Sequence, residues 1–221
     1  MKSSLFFLLP LAFLASCSGA KDQKSSTSNN VVAFTPNVQH SIYVEYDNIN
    51  DPQKMHVILD RERLLVDKDG KIFSSDGHLY ADLGLGGAIQ VIYFWKDGPE
   101  LTILAELSDG DKGWTEIEKF NVMQKKKLWS TRFGKFNAGV PVIANGKLYM
   151  STIGALAKLD VSTGQFCWKI ENLYDGSKYN GFEEPVFVNA QQVLFRSERP
   201  FVGGKDEILV DDAKGTILRK D

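Results

Sequence analysis

The 221-residue chain has two cysteines, Cys17 and Cys167, and three histidines. Neither a CxxCH nor a CxxC pair occurs, so no motif for attached haem or for a paired-cysteine zinc site is present. No two of His40, His56 and His78 stand at metal-ligand spacing. No charge sign dominates: 26 basic side chains face 28 acidic ones, a formal net charge of −2. Such a balance gives no electrostatic reason to bind nucleic acid or an anionic membrane surface. Apolar runs stay far below the roughly 20 residues that a membrane-spanning helix needs. Helical periodicity is also missing, with no convincing stretch of ten residues carrying it.

What is present begins at the start of the chain. Lys2 precedes an apolar run from Leu5 to Leu14, followed by Ala15, Ser16 and Cys17. A positive start, a short apolar core and small residues at the cut are the layout of a secretory signal. Leu14-Ala15-Ser16-Cys17 resembles the bacterial lipobox, whose fourth position is cysteine. The resemblance implies cleavage before Cys17, a diacylglycerol on its thiol and an acyl group on the new amine. Several acyl chains together anchor firmly where one alone is marginal. Cys167 is then left alone, and no internal disulfide is expected. Ser18 to Asn30 contains no large apolar group and reads as a flexible tether. Residues 1–16 are therefore assigned to a signal peptide, 17–40 to the lipidated cysteine and tether, and 41–221 to a folded domain.

From Ser41 the chain is a series of short runs rich in Val, Ile, Tyr, Phe and Trp. Turn pairs separate them: Asp69-Gly70, Asp76-Gly77, Asp97-Gly98, Asp109-Gly110, Asn145-Gly146, Thr163-Gly164 and Lys214-Gly215. Many short strands with regular turn signals predict an all-β domain. Ile89 to Trp95 is nearly unbroken apolar sequence, which predicts a strand covered on both faces. Three hairpin-like segments align without gaps: Phe120 to Trp129, Leu159 to Trp168 and Val210 to Arg219. A weaker copy lies at Leu65 to Phe73. Hairpins recurring about every 40 residues are a propeller signature.

One stretch is sharper than the rest. Pro141, Gly146, Leu148, Tyr149, Leu159, Asp160, Thr163, Gly164 and Trp168 fall in step with a repeat of the PQQ-like (quinoprotein-type) β-propeller family, which this segment resembles. The match is partial over 114–133 and 185–220 and poor before residue 78, so it covers about half of the chain after the signal. It implies a small or incomplete β-propeller of about four blades, each a four-stranded antiparallel sheet. The blades are expected near 41–75, 78–133, 138–171 and 183–221. The resemblance also implies that Trp129 and Trp168 dock between adjacent blades.

Enzyme constellations are scarce. Asp67-Lys68-Asp69-Gly70 opens like a calcium loop but lacks Glu at the twelfth position, so it reads as a hairpin turn. Asp109-Gly110-Asp111 reads as a loop between strands. Gly84-Leu85-Gly86-Gly87 lacks the Lys-Ser/Thr of a phosphate loop. Glu183 and Glu184 are neighbours in an extended segment and point opposite ways. Lys125-Lys126-Lys127 reads as a solvated hairpin tip, and Arg196, Arg199 and the loop to Gly204 carry nothing specific. The quinone-dependent dehydrogenases of the family use adjacent cysteines and a calcium ligand set that this chain does not match. No cofactor, metal or catalytic residue is assigned, and the chain is expected not to be an enzyme.

The expectation is a bacterial cell-envelope lipoprotein, held at the outer rather than the inner membrane, with its folded domain outside the cytoplasm. Its propeller is expected to bind a protein or another envelope component. The alternative is an envelope enzyme or glycan-binding protein with a site on the propeller face. Cys17→Ala tests the anchor. The variant is expected to leave the membrane fraction or to remain unprocessed, read by fractionation and mass. Its retention in the membrane at the mature size would contradict the assignment.

Overall fold

Tight turns set the architecture, because each places a residue in the left-handed backbone region between two strands. All seven turn glycines named above have positive φ, from 56° at Gly98 to 101° at Gly110. The computed structural model describes residues 34, 36–42, 44–46, 55–59, 61–110, 112–135, 137–173, 181–197 and 206–221. Residues Val32–Asp221 form one compact unit, and all the described regular structure is β.

The strand Val38–His40 (β1) comes first. The first sheet holds Val44–Tyr46 (β2), Met55–Leu59 (β3), Glu62–Val66 (β4), Lys71–Phe73 (β5) and Leu79–Asp82 (β6). The second holds Ala88–Asp97 (β7), Glu100–Ser108 (β8), Gly113–Asn121 (β9) and Lys126–Phe133 (β10). The third holds Val142–Ala144 (β11), Lys147–Thr152 (β12), Ala155–Asp160 (β13) and Phe166–Ile170 (β14). The fourth holds Val186–Asn189 (β15), Gln192–Arg196 (β16), Glu207–Asp211 (β17) and Ile217–Lys220 (β18). Each sheet is an antiparallel meander of consecutive strands, the blade of a propeller-type fold. Two blades carry a fifth strand: β6 on the outer edge of blade 1, and β1 beside β11 in blade 3.

Blade 1 departs from the expected boundary. It runs to Asp82, because Asp76-Gly77 turns the chain back from β5 into β6 instead of separating two blades. The tether boundary differs as well: Val38–His40 falls within the span assigned to the tether, yet pairs with β11. Backbone contacts fix this segment on two blades. The Asn145 N–H donates to Asn37 O at 3.3 Å, and the Ile42 N–H donates to Phe94 O at 2.8 Å. The Trp95 indole N–H donates to Gln39 O at 3.1 Å. His40 reaches Glu184, just ahead of blade 4, at 3.1 Å.

Three apolar cores join the sheets in sequence. Met55, Val57, Leu64, Val66 and Ile72 of blade 1 pack on Ile92, Phe94, Leu101, Ile103 and Phe120 of blade 2. Leu104, Ile117 and Phe133 of blade 2 meet Leu148, Met150, Ala157 and Leu159 of blade 3. Val142, Tyr149, Leu156 and Trp168 of blade 3 meet Val193, Phe195, Ile208 and Val210 of blade 4. Burial of this many side chains, at about 25 cal/mol per Å² of apolar surface, is what holds one blade against the next.

The tryptophans act where the repeat pattern implies. The Trp129 ring on β10 lies over Gly164 of blade 3, where an added Cβ would sit 2.6 Å from the ring. Trp168 on β14 lies over Gly215 of blade 4, again at 2.6 Å, and its indole N–H donates to Asp212 O at 2.9 Å. Both turns therefore need glycine twice over, for a positive φ and for the close approach of the preceding blade's indole. Lys158 reinforces the second contact with a 2.8 Å ion pair to Asp212. Two substitutions test this arrangement by thermal and denaturant unfolding. Trp168→Ala is expected to cost about 3–5 kcal/mol, the usual loss on emptying a buried aromatic site. Gly215→Ala is expected to cost about 1–3 kcal/mol through overpacking against the same ring.

Candidate functional site

A blade must cover both of its faces, and the strand register shows which rows do so. In blade 2 the row Trp95, Thr102, Lys119, Trp129 runs across the sheet. Its two tryptophans belong to the core shared with blade 3. The matching row of blade 3 is Val142, Tyr149, Lys158, Trp168, on the blade 4 side. Blade 4 repeats it as Val186, Leu194, Leu209, Arg219. No core forms against this row among the described residues.

The opposite faces follow the same logic. Leu159 pairs with Phe166 and faces blade 2, and Val210 pairs with Ile217 on the blade 3 side. Blade 1 has the equivalent pair in Leu65 and Phe73, continued by His56 on one side and Leu79 on the other. This row too lacks a neighbouring sheet among the described residues. Both ends of the four-blade series consequently expose apolar side chains. Ile58 is 49% and Leu79 52% exposed on blade 1, and Val186 is 41% and Val188 52% exposed on blade 4. Exposed apolar groups gathered on one face mark interaction surfaces more often than isolated ones do. The charges on these faces are already paired. Arg63 bonds His56, and Glu207 takes Arg196 and Arg219, each at 2.9 Å.

A second cluster is polar and closed. Trp114, Glu116, Glu118 and Phe120 alternate along β9, and their face turns toward blade 1. Glu118 is fully buried and ion-paired with Lys127, while its second carboxylate oxygen has no protein hydrogen-bond donor. Glu116 accepts from the Ser130 hydroxyl at 2.8 Å and lies 3.7 Å from the Arg132 guanidinium, which stacks on Trp114. Burial pushes the Glu118 carboxyl above its ordinary range. The Lys127 ammonium opposes that rise, and neighbouring Glu116 adds to it. Lys127 thus leaves the expected solvated hairpin tip to neutralise a buried acid. The alternation Trp-x-Glu-x-Glu-x-Phe was visible in the sequence, but only the packed structure shows that another blade covers it.

The remaining sites of the sequence reading do not converge. His40, His56 and His78 lie apart, beside Glu184, Arg63 and Asp76 respectively. Asp67 closes a turn, its carboxylate accepting from the Asp69 and Lys71 N–H groups at 3.0 and 2.9 Å. Cys17, Asp111, Arg199 and the loop to Gly204 lie outside the described residues. A shallow cleft of about 530 Å³ is lined by Gly134, Lys135, Gly154, Glu171 and Asn172. It does not include the Glu116–Glu118 pair.

No protein-family model and no curated protein matches the chain. Solved structures of low identity do. BamB from Moraxella catarrhalis is 16% identical, with 76% of this chain and 58% of that one covered, at a TM-score of 0.40. A europium-containing methanol dehydrogenase is 17% identical, with 59% and 25% covered, also at 0.40. The WD40 domain of SCAP from fission yeast is 12% identical, with 85% and 49% covered, at 0.41. The chain spans between a quarter and three-fifths of the length of these three structures.

The Glu118 geometry predicts a pH dependence with a definite sign. A carboxyl whose folded pKa is raised destabilises the fold once it ionises. Its penalty is absent below the ordinary carboxylate range, builds up as pH rises from there toward the raised value, and is complete above it. Glu118→Gln is therefore expected to melt higher than the parent at neutral pH, with the difference shrinking as pH falls toward 4. A difference that grows on acidification would contradict the assignment.

Proposed function

We propose that the chain is a bacterial envelope lipoprotein, anchored through a lipid on Cys17, whose open propeller binds a protein or envelope partner and catalyses no reaction. The lipobox resemblance supports the anchor, and the outer membrane is the proposed location. The observation that carries the binding role is the pair of apolar blade faces at the two ends of the series, exposing Ile58, Leu79, Val186 and Val188. Protein association draws on such faces because burying them removes apolar area from water. A catalytic reading would draw on Glu116 and Glu118. Glu118 is sealed from solvent and paired with Lys127, which leaves a substrate no approach to it.

Capture from native membranes with the tagged lipoprotein tests the proposal. The wild type is expected to retain a defined partner that Leu79→Glu and Val188→Glu both lose while keeping the parental melting temperature. Incubation with PQQ and calcium, followed by dye reduction on alcohols and aldoses, is expected to give no turnover. Saturable cofactor binding with substrate-dependent reduction would overturn the binding role in favour of the enzyme.

A further inference from the structure

We propose that Glu116 and Glu118 share a single proton at the junction of blades 1 and 2, and that this proton works as a latch on the glycine-rich connector between the two blades. Raising the pH releases the proton and frees the connector. Lowering it restores the proton and closes the connector again.

The register shows that the two carboxyls converge. Both residues lie on the face of β9 that turns toward blade 1, two positions apart. Ser130 on β10 stands opposite Glu118, yet its hydroxyl donates to Glu116 Oε1 at 2.8 Å. The Glu116 carboxyl therefore leans along the sheet toward the Glu118 position. Glu118 is 0% and Glu116 9% exposed. Lys127 takes Glu118 Oε1, which leaves Oε2 sealed from solvent with no donor. A buried acceptor in that state is costly. A proton on Oε2 removes the deficit, because the new O–H donates to the Glu116 carboxylate beside it. Glu116 is the member that stays ionised. Its Oε2 lies 3.4 Å from the Trp114 indole N–H and 3.7 Å from the Arg132 guanidinium. The pair then carries one negative charge, where two so close in a buried site would oppose each other.

The elements around the pair supply no further donor to Glu118. The β8 residues paired with this face of β9 are Leu101, Ile103, Ala105 and Leu107, all apolar. β10 supplies Lys127, Ser130 and Arg132, already engaged as described. Blade 1 brings Leu83, Leu85 and Tyr80, and the exposed Asp82 carboxylate accepts from the Gly84 N–H at 3.0 Å. The connector Gly84-Leu85-Gly86-Gly87 leads from β6 to β7 and lies on the groups that hold the acids. A Cβ on Gly84 would sit 4.0 Å from Lys127 Nζ, and one on Gly86 3.5 Å from the Arg132 guanidinium. One on Gly87 would meet the Trp114 ring at 2.8 Å. On release the Glu118 Oε2–H bond breaks and the proton passes to water. The two carboxylates then repel, and Lys127 and Arg132 shift to meet the second charge. The connector that rests on them loses its seat. Burial pushes Glu118 upward, so release falls above the ordinary carboxylate range.

Carboxyl-carbon NMR of the full chain in detergent micelles, with its glutamates labelled, reads the shared proton. In the wild type the Glu116 and Glu118 carbons are both expected to move at both titration steps of the pair. Glu116→Gln is expected to lower the Glu118 step by about one pH unit or more. A Glu118 step unmoved by Glu116→Gln overturns the inference, because burial by itself would then account for it. Should Glu116→Gln fail to fold, the wild-type titration decides alone, and a Glu116 carbon blind to the Glu118 step overturns the inference. Hydrogen exchange reads the latch. In Glu118→Gln a side-chain N–H takes the place of the shared proton at every pH. Above the upper step the amides of Leu85, Gly86 and Gly87 are expected to exchange about tenfold faster in the wild type than in Glu118→Gln, the equivalent of one pH unit. Below that step the two proteins should agree. Equal exchange at every pH, or faster exchange in Glu118→Gln, overturns the latch.

Discussion

A β-sheet with apolar side chains on both faces cannot stand in water, and that constraint shapes this molecule from the turns outward. Strands such as β8, in which seven of nine residues are buried, need a neighbour above and below. Stacking meander upon meander meets the requirement for blades 2 and 3. Each junction then has to solve a local problem, how to bring the outer edge of one blade close to the turn of the next. Trp129 and Trp168 solve it with an indole that replaces the missing side chain of a glycine. Among the described residues, blades 1 and 4 have a neighbouring sheet on one face only, which leaves the exposed faces from which the binding role is argued.

Edges raise a separate difficulty. The first strand of a meander has a free side, and unpaired backbone groups there invite pairing with other chains. In blade 3 the chain supplies its own partner: Val38–His40 lines β11, and the flanking residues bond to β7 and approach blade 4. This short segment bonds mainly through its backbone, with Val38 packed against the core of blades 3 and 4.

Much of this was legible in the sequence, and the misses have physical causes. Turn pairs announced the hairpins because the left-handed region selects for glycine and asparagine, and all seven turn glycines adopt it. The repeats at Phe120–Trp129, Leu159–Trp168 and Val210–Arg219 were visible because each docking position draws on the same residue types. Asp76-Gly77 misled because a turn inside a blade uses the same chemistry as a turn between blades. Val38-Gln39-His40 gave no signal because three residues at an edge need no apolar pattern. The burial of Glu116 and Glu118 could not be seen, since alternation places residues on a face without saying what covers that face. The open ends were also hidden, because an exposed Leu79 and a buried Leu64 look alike in a string of letters.

Hydrogen exchange on the full chain, diluted until it is a single copy, tests the central claim that the blades join in series with two uncovered ends. Amides in the sheet centres of β8, β9, β12 and β13 should exchange slowest, and those of Val38–His40 should be protected in step with β11. Amides of β15 to β18 should open well before the central blades, because one face of that sheet has no neighbour among the described residues. Protection of β15 to β18 equal to that of β8 and β9 in a single copy would contradict the account, since it would mean that blade 4 is covered on both faces within one chain.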